Sequence, residues 1–137
     1  MIEGLSHITF IVSDLRRMSD FLKRIFNAEE IFSSGGIEHS IAKEKFFLIG
    51  GLWIAIMEGK PLAEKTYNHI AFKVAEADFS SYRDRVRSLG VEISEGRNRI
   101  AGEGKSLYFY DFDNHLFELH TGSLDQRMAS YEFATRP

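Results

Sequence analysis

Three residues stand out for the chemistry they could do together: His7, His69 and Glu118. Two imidazoles and a carboxylate give a divalent cation three donors and leave part of an octahedral shell open for water or substrate. That set suits Mn(II), Fe(II) or a similar ion better than a closed structural zinc site. A lone strand histidine is ordinarily a satisfied core or surface residue. His7 and His69 differ because they recur at matching places in an internal repeat: Gly4-Leu5-Ser6-His7-Ile8-Thr9-Phe10-Ile11-Val12 is echoed by Tyr67-Asn68-His69-Ile70-Ala71-Phe72-Lys73-Val74. His115 reads as a turn residue, and His39 and His120 as ordinary surface or supporting groups.

Two further sets of residues bear on chemistry. Glu44, in Lys43-Glu44-Lys45, is either part of a solvated charge cluster at a strand edge or, if it faces the metal-bound substrate, a general base. Arg97, Arg99, Lys105, Ser106, Tyr108 and Arg127 collect in the second half, where guanidinium groups could pair bidentately with a small phosphonate or carboxylate. The stretch Ala101-Gly102-Glu103-Gly104-Lys105 is not a phosphate-binding loop, because no strand–loop–helix context surrounds it.

The elements that must position these groups follow from periodicity. After the first strand, Leu15, Met18, Leu22, Ile25 and Phe26 fall at helical spacing behind Ser13-Asp14. After the second copy of that strand, Phe79, Tyr82, Val86 and Leu89 do the same and Gly90 supplies the stop. Lys45–Ile49 and Leu52–Met57, joined by Gly50-Gly51, read as a hairpin, matched by Ser106–Tyr110 and Leu116–His120. Each copy is therefore β-α-β-β-β. The chain reads as one α+β domain with module one at about 4–59, module two at about 66–122 and a C-terminal helix or tail at 123–137. The two modules are expected to join into a cupped mixed sheet with helices outside. Strand alternation puts His7 with Thr9, and Glu118 with Leu116 and His120, on one face. Aligning the hairpins sets Ile54 opposite Glu118 in the repeat, so three protein ligands are expected rather than four.

Composition narrows the class. The 137 residues carry 17 basic and 20 acidic side chains and a net charge of -3, which disfavours nucleic acid as a partner. With no cysteine, disulfides, zinc–thiolate sites and thiol nucleophiles are ruled out. No apolar run approaches the roughly 20 residues of a membrane span, and no signal pattern opens the chain, so a cytoplasmic protein without a membrane partner is expected.

With the repeat and its three ligands in place, the chain resembles the vicinal oxygen chelate (glyoxalase-like) superfamily, and more closely its fosfomycin resistance proteins. The matching segments are Gly4–Thr9, Gly51-Leu52-Trp53, Tyr67-Asn68-His69, Glu103–Phe109, and His115–His120 with Arg127 downstream. Ser40-Ile41-Ala42-Lys43-Glu44-Lys45-Phe46-Phe47-Leu48 resembles the hydrolytic branch called FosX, in which the glutamate matching Glu44 activates water.

The resemblance implies a Mn(II)-dependent hydrolase that opens the epoxide of fosfomycin. It also implies a homodimer in which module one of one subunit pairs with module two of the other, so that His7 joins His69 and Glu118 across the pair. By position, Thr9 falls near the oxirane oxygen and Trp53 walls the pocket, while Ser106, Tyr108 and Arg127 contact the phosphonate. Arg97 is the nearest match for the loop's basic ligand, with Arg99 and Lys105 as alternatives. The competing readings are a thiol transferase that uses glutathione or another thiol, an Fe(II) extradiol dioxygenase, and a non-catalytic antibiotic-binding protein.

Overall fold

A computed structural model describes residues 1–35, 42–94, 97 and 99–136. His39, Ser40 and Ile41, named above, lie outside the described residues. The chain divides into two compact units, Met1–Lys65 with Asp111–His115, and Thr66–Tyr110 with Leu116–Pro137.

The first unit opens with strand β1 (His7–Val12), followed by helix α1 (Leu15–Phe26) and strands β2 (Glu29–Ser33), β3 (Glu44–Ile49) and β4 (Leu52–Glu58). Its four-stranded sheet runs β1-β4-β3-β2. β1 lies parallel to β4 and the other pairs are antiparallel. Helix α1 starts where the Asp14 carboxylate accepts from Arg17 N at 2.9 Å. It ends at Asn27, in the left-handed region with φ 53°, where Asn27 N bonds Lys23 O and Ala28 N bonds Leu22 O. Met18, Phe21, Leu22 and Ile25 form its buried stripe, and the helix packs on β3 and β4, where Phe47, Ile54 and Ile56 are buried. Each such side chain taken from water contributes roughly 1.5–3 kcal/mol.

The 111–115 turn is tied into this unit by buried acceptors. The Asp113 carboxylate, 1% exposed, accepts from Ser13 N at 3.1 Å and Ser13 Oγ at 2.7 Å. Asp111 Oδ1 accepts from the backbone N–H of Asp113 and of His115, and Asp111 Oδ2 meets His115 Nδ1 at 2.7 Å. His115 is thus the turn residue that the sequence implied.

The second unit repeats the plan. Strand β5 (His69–Lys73) leads through a single 3-10 turn (Glu76–Asp78) into helix α2 (Phe79–Ser88). Strands β6 (Ile93–Ser94), β7 (Ser106–Tyr110) and β8 (Leu116–His120) follow, and then helix α3 (Leu124–Thr135). The sheet order is β5-β8-β7-β6, again with one parallel pair, β5 with β8. Phe109, Phe117 and Leu119 are fully buried, as is Val86 of α2, and Phe79 is buried too. Helix α3 begins at a capping box, Ser123 with Gln126. No helix is long and apolar enough to cross a membrane among the described residues.

Register corrects one expectation. His7 pairs with Trp53 and Thr9 with Ala55, while His69 pairs with Leu116 and Ala71 with Glu118. The counterpart of Glu118 in the first sheet is therefore Ala55, not Ile54. The sequence alignment slipped by one because the first hairpin turns on two residues and the second on five. Alanine cannot bind a metal either, so the expectation of three ligands is unaffected.

Candidate metal centre and its surroundings

In the second unit, strand alternation carries His69, Ser106, Tyr108, Glu118 and His120 onto one sheet face, while Phe109, Phe117 and Leu119 fill the other. His69 Nδ1 lies 2.7 Å from Tyr67 O. A carbonyl only accepts, so Nδ1 carries a proton, and the tautomer protonated there alone presents the lone pair of Nε2 as a ligand. That atom faces Glu118 Oε1 at 3.1 Å.

In that tautomer Nε2 and Oε1 are both acceptors, and a shared cation, whether a metal ion or a proton on Nε2, removes their repulsion. Ligand atoms about 2.1 Å from one ion and at right angles are about 3 Å apart. The donor set therefore fits a divalent metal. Among the described residues no three His, Asp or Glu side chains come together as a metal site.

Arg99 brings positive charge to this face. Arg99 Nη2 donates to Tyr108 Oη at 2.7 Å and lies 3.3 Å from Glu118 Oε2. Tyr67 Oη also donates to Tyr108, at 3.1 Å. Burial first, then the bonds to Tyr67 and Glu118, push the Tyr108 phenol above its usual range, so it keeps its proton. Arg99 Nη1 is buried and has no acceptor among the described residues. An orphaned guanidinium donor beside a neutral phenol is a seat for an anion. Ser106 Oγ lies 2.7 Å from both Glu118 Oε2 and His120 Nδ1, and burial holds the His120 imidazole below its usual pKa.

Two of the arginines named from sequence turn elsewhere. Both Arg97 guanidinium nitrogens bond the Glu103 carboxylate, with Nη1 to Oε2 at 3.2 Å, and Nη2 also reaches Tyr131 Oη at 2.8 Å. Arg127 Nε lies 3.9 Å from the same carboxylate, and Ile100 N donates to it at 2.7 Å. Glu103 is completely buried, and Arg97, more than any other group, holds its pKa down to about 2. Lys105 pairs at the surface with Glu76, 3.3 Å away. The Arg97–Glu103 clasp was not read from sequence. Its one signal was a carboxylate set between two glycines, Gly102 and Gly104, whose φ of 86° and 89° wrap the loop around it.

The first unit carries its own half of the named residues. His7, Thr9, Trp53, Phe46 and Glu44 share the sheet face turned away from the Phe47, Ile54 and Ile56 core. The His7 ring packs against Trp53 with centroids 4.3 Å apart, and Ser6 Oγ sits 3.0 Å from His7 Nδ1. Phe46 meets Trp53 edge-on at 5.1 Å. Glu44 is 9% exposed, so it is not the solvated charge that Lys43-Glu44-Lys45 permits. Ser34 Oγ accepts from its N–H, and its carbonyl accepts from Ser34 N, both at 3.0 Å.

Two four-stranded mixed sheets of this design, each with one parallel outer pair, are a known architecture. Residues 4–119 match the model of the Glyoxalase/Bleomycin resistance protein/Dioxygenase superfamily. The chain belongs to that superfamily and, within it, to the FosX family of fosfomycin resistance proteins.

It is 61% identical over 131 residues to fosfomycin resistance protein FosX of Listeria monocytogenes, covering 96% of this chain and 98% of that protein. FosX of Mesorhizobium japonicum is 57% identical, with 94% and 93% covered. The crystal structure of a single-residue variant of the Listeria protein superposes with a TM-score of 0.87 at 60% identity, over 96% of this chain and 99% of that one. That protein was crystallised with Mn(II) and 1S,2S-dihydroxypropylphosphonic acid.

Proposed function

We propose that this chain confers fosfomycin resistance as a Mn(II)-dependent hydrolase that adds water across the epoxide of the drug to give a diol phosphonate. The observation that carries the metal site is the His69 Nε2–Glu118 Oε1 pair at 3.1 Å, an imidazole nitrogen and a carboxylate oxygen spaced as two ligands of one ion. His69 and Glu118 of one protomer would hold the ion together with His7 of the other, in a homodimer that pairs module one with module two. When bound, Mn(II) supplies Lewis acidity to the epoxide oxygen as the ring opens.

The chain's own groups supply the rest. Glu44 takes a proton from the attacking water, which adds at the carbon bearing the phosphonate. Its burial beside the His7–Trp53 face keeps the carboxylate away from bulk solvent. Arg99 holds the phosphonate through its orphaned Nη1, and Tyr108, accepting from Nη2 at 2.7 Å, holds the guanidinium in place. Arg97 and Arg127 act one step back, fixing the 97–105 loop through Glu103. Thr9 lies on the His7 face to meet the oxirane oxygen, and Trp53 walls the site.

Phosphorus NMR of fosfomycin with Mn(II)-loaded protein and no thiol tests this. Conversion to a single diol phosphonate, abolished by EDTA, is the expected result. Conversion that requires glutathione would make the chain a thiol transferase, and no conversion in either tube would leave a protein that binds the drug without destroying it.

A further inference from the structure

The side chain of Ser106 cannot both hold the metal-ligating carboxylate and donate to a substrate anion, because a hydroxyl has one proton. Ser106 Oγ is 2.7 Å from Glu118 Oε2. A ligating carboxylate only accepts, so the serine proton is committed to Glu118. Ser106 Oγ is also 2.7 Å from His120 Nδ1; with its proton spent, the serine accepts there from an Nδ1–H. A directional chain results: His120 donates to Ser106, and Ser106 donates to Glu118.

Three observations give that chain a purpose. Ser106 and His120 are directly paired across β7 and β8, so the link is built into strand register rather than into a loop. His120 Nδ1 and Arg99 Nη2 also approach Glu118 Oε2, at 3.4 and 3.3 Å. Oε2 is thus surrounded by donors, and Oε1 is left toward His69. The backbone at Gly122 closes over the far side of the imidazole, where a Cβ would fall 2.7 Å from His120 Nε2. The ring is held from both ends.

We infer that Ser106 and His120 are positioning residues that orient Glu118 toward the metal, and that Ser106 does not contact the phosphonate. The inference rests on the proposed role of Glu118 as a ligand. Partners of this kind typically contribute 10–100-fold to metal affinity.

Mn(II) titration of the full-length protein, followed by EPR of the free ion and without substrate, tests it. Ser106→Ala and His120→Leu should each weaken Mn(II) binding about 10–100-fold. His120→Asn, whose amide can donate from the place of Nδ1, should recover affinity to within about threefold of the parent, on the same geometric argument. The double variant Ser106→Ala/His120→Leu should bind no worse than the weaker single, since the two act in series.

Parental affinity in both Ser106→Ala and His120→Leu, or a His120→Asn protein as weak as His120→Leu, would overturn the inference. A folding defect shows separately in the melting temperature of the metal-free proteins. Glu118→Ala separates the two layers. If it keeps parental affinity, the metal-site reading itself fails; if it alone loses affinity, the positioning role fails and the ligand role stands.

Discussion

Glu44 and Ser106 occupy the same place in the two sheets. Glu44 pairs with Met57, four residues beyond the partner of His7, and Ser106 pairs with His120, four residues beyond the partner of His69. One repeat position thus carries a buried carboxylate in the first unit and the hydroxyl beside Glu118 in the second. Duplication of a module that aims this position at the histidine-bearing face accounts for both.

Glu44→Gln changes one acceptor oxygen for an amide and leaves the fold alone. Turnover of fosfomycin should fall by about 10²–10⁴-fold, the usual contribution of a general base, with Mn(II) affinity unchanged. Initial rates by phosphorus NMR, read beside a metal titration, check it. A variant within a few-fold of parental turnover removes Glu44 from the reaction.

Arg99 and Arg97 should separate cleanly. Charge-assisted hydrogen bonds contribute about 1.5–3 kcal/mol, so Arg99→Ala should raise KM for fosfomycin about 10–100-fold with a small change in melting temperature. Arg97→Ala deserts the buried Glu103 and should show first as a lower melting temperature. Steady-state kinetics and thermal melts on the two proteins decide which guanidinium reads the substrate.

Glu103 makes stability depend on acid. Its carboxyl titrates at about 2 in the folded protein, against an ordinary value of about 4.3. A depressed folded pKa contributes stability that is fully present above the unfolded pKa and is lost as pH falls through the folded one. The melting-temperature gap between the parent and Glu103→Gln should therefore be constant above about pH 5 and shrink steadily toward pH 2. A gap that stays constant through that window removes the ion pair as its cause.

Asp113→Ala removes the acceptor for both Ser13 N and Ser13 Oγ from a site that is 1% exposed. Unfolding free energy should fall by about 2–4 kcal/mol, read from the urea midpoint. Asp113→Asn, which keeps an acceptor oxygen, should recover most of it.

Much of the fold could be read from the chain, because its signals are local and come twice. The caps at Asp14 and Gly90, the Gly50-Gly51 turn and the alternation within each strand need only neighbours in sequence to specify them, and the four strands of the two hairpins fall within a residue of the observed ones. The nearness of His69 and Glu118 was legible for the same reason: the repeat marks the histidine, and period-two alternation sets the glutamate on its sheet face.

What the chain could not announce depends on register and on contacts across loops. The five-residue second turn hides a one-residue offset, so only strand pairing reveals that Ala55, not Ile54, mirrors Glu118. Arg97 and Arg99 are indistinguishable as sequence, two guanidinium groups two residues apart. Tertiary structure sends one to a buried Glu103 and the other to Tyr108 and Glu118, because a buried carboxylate must find a cation and the fold brings Arg97 to it. Glu44 looked solvated beside two lysines until the sheet buried it. Side-chain type fixes which chemistry is available, and packing decides which group is left free to do it.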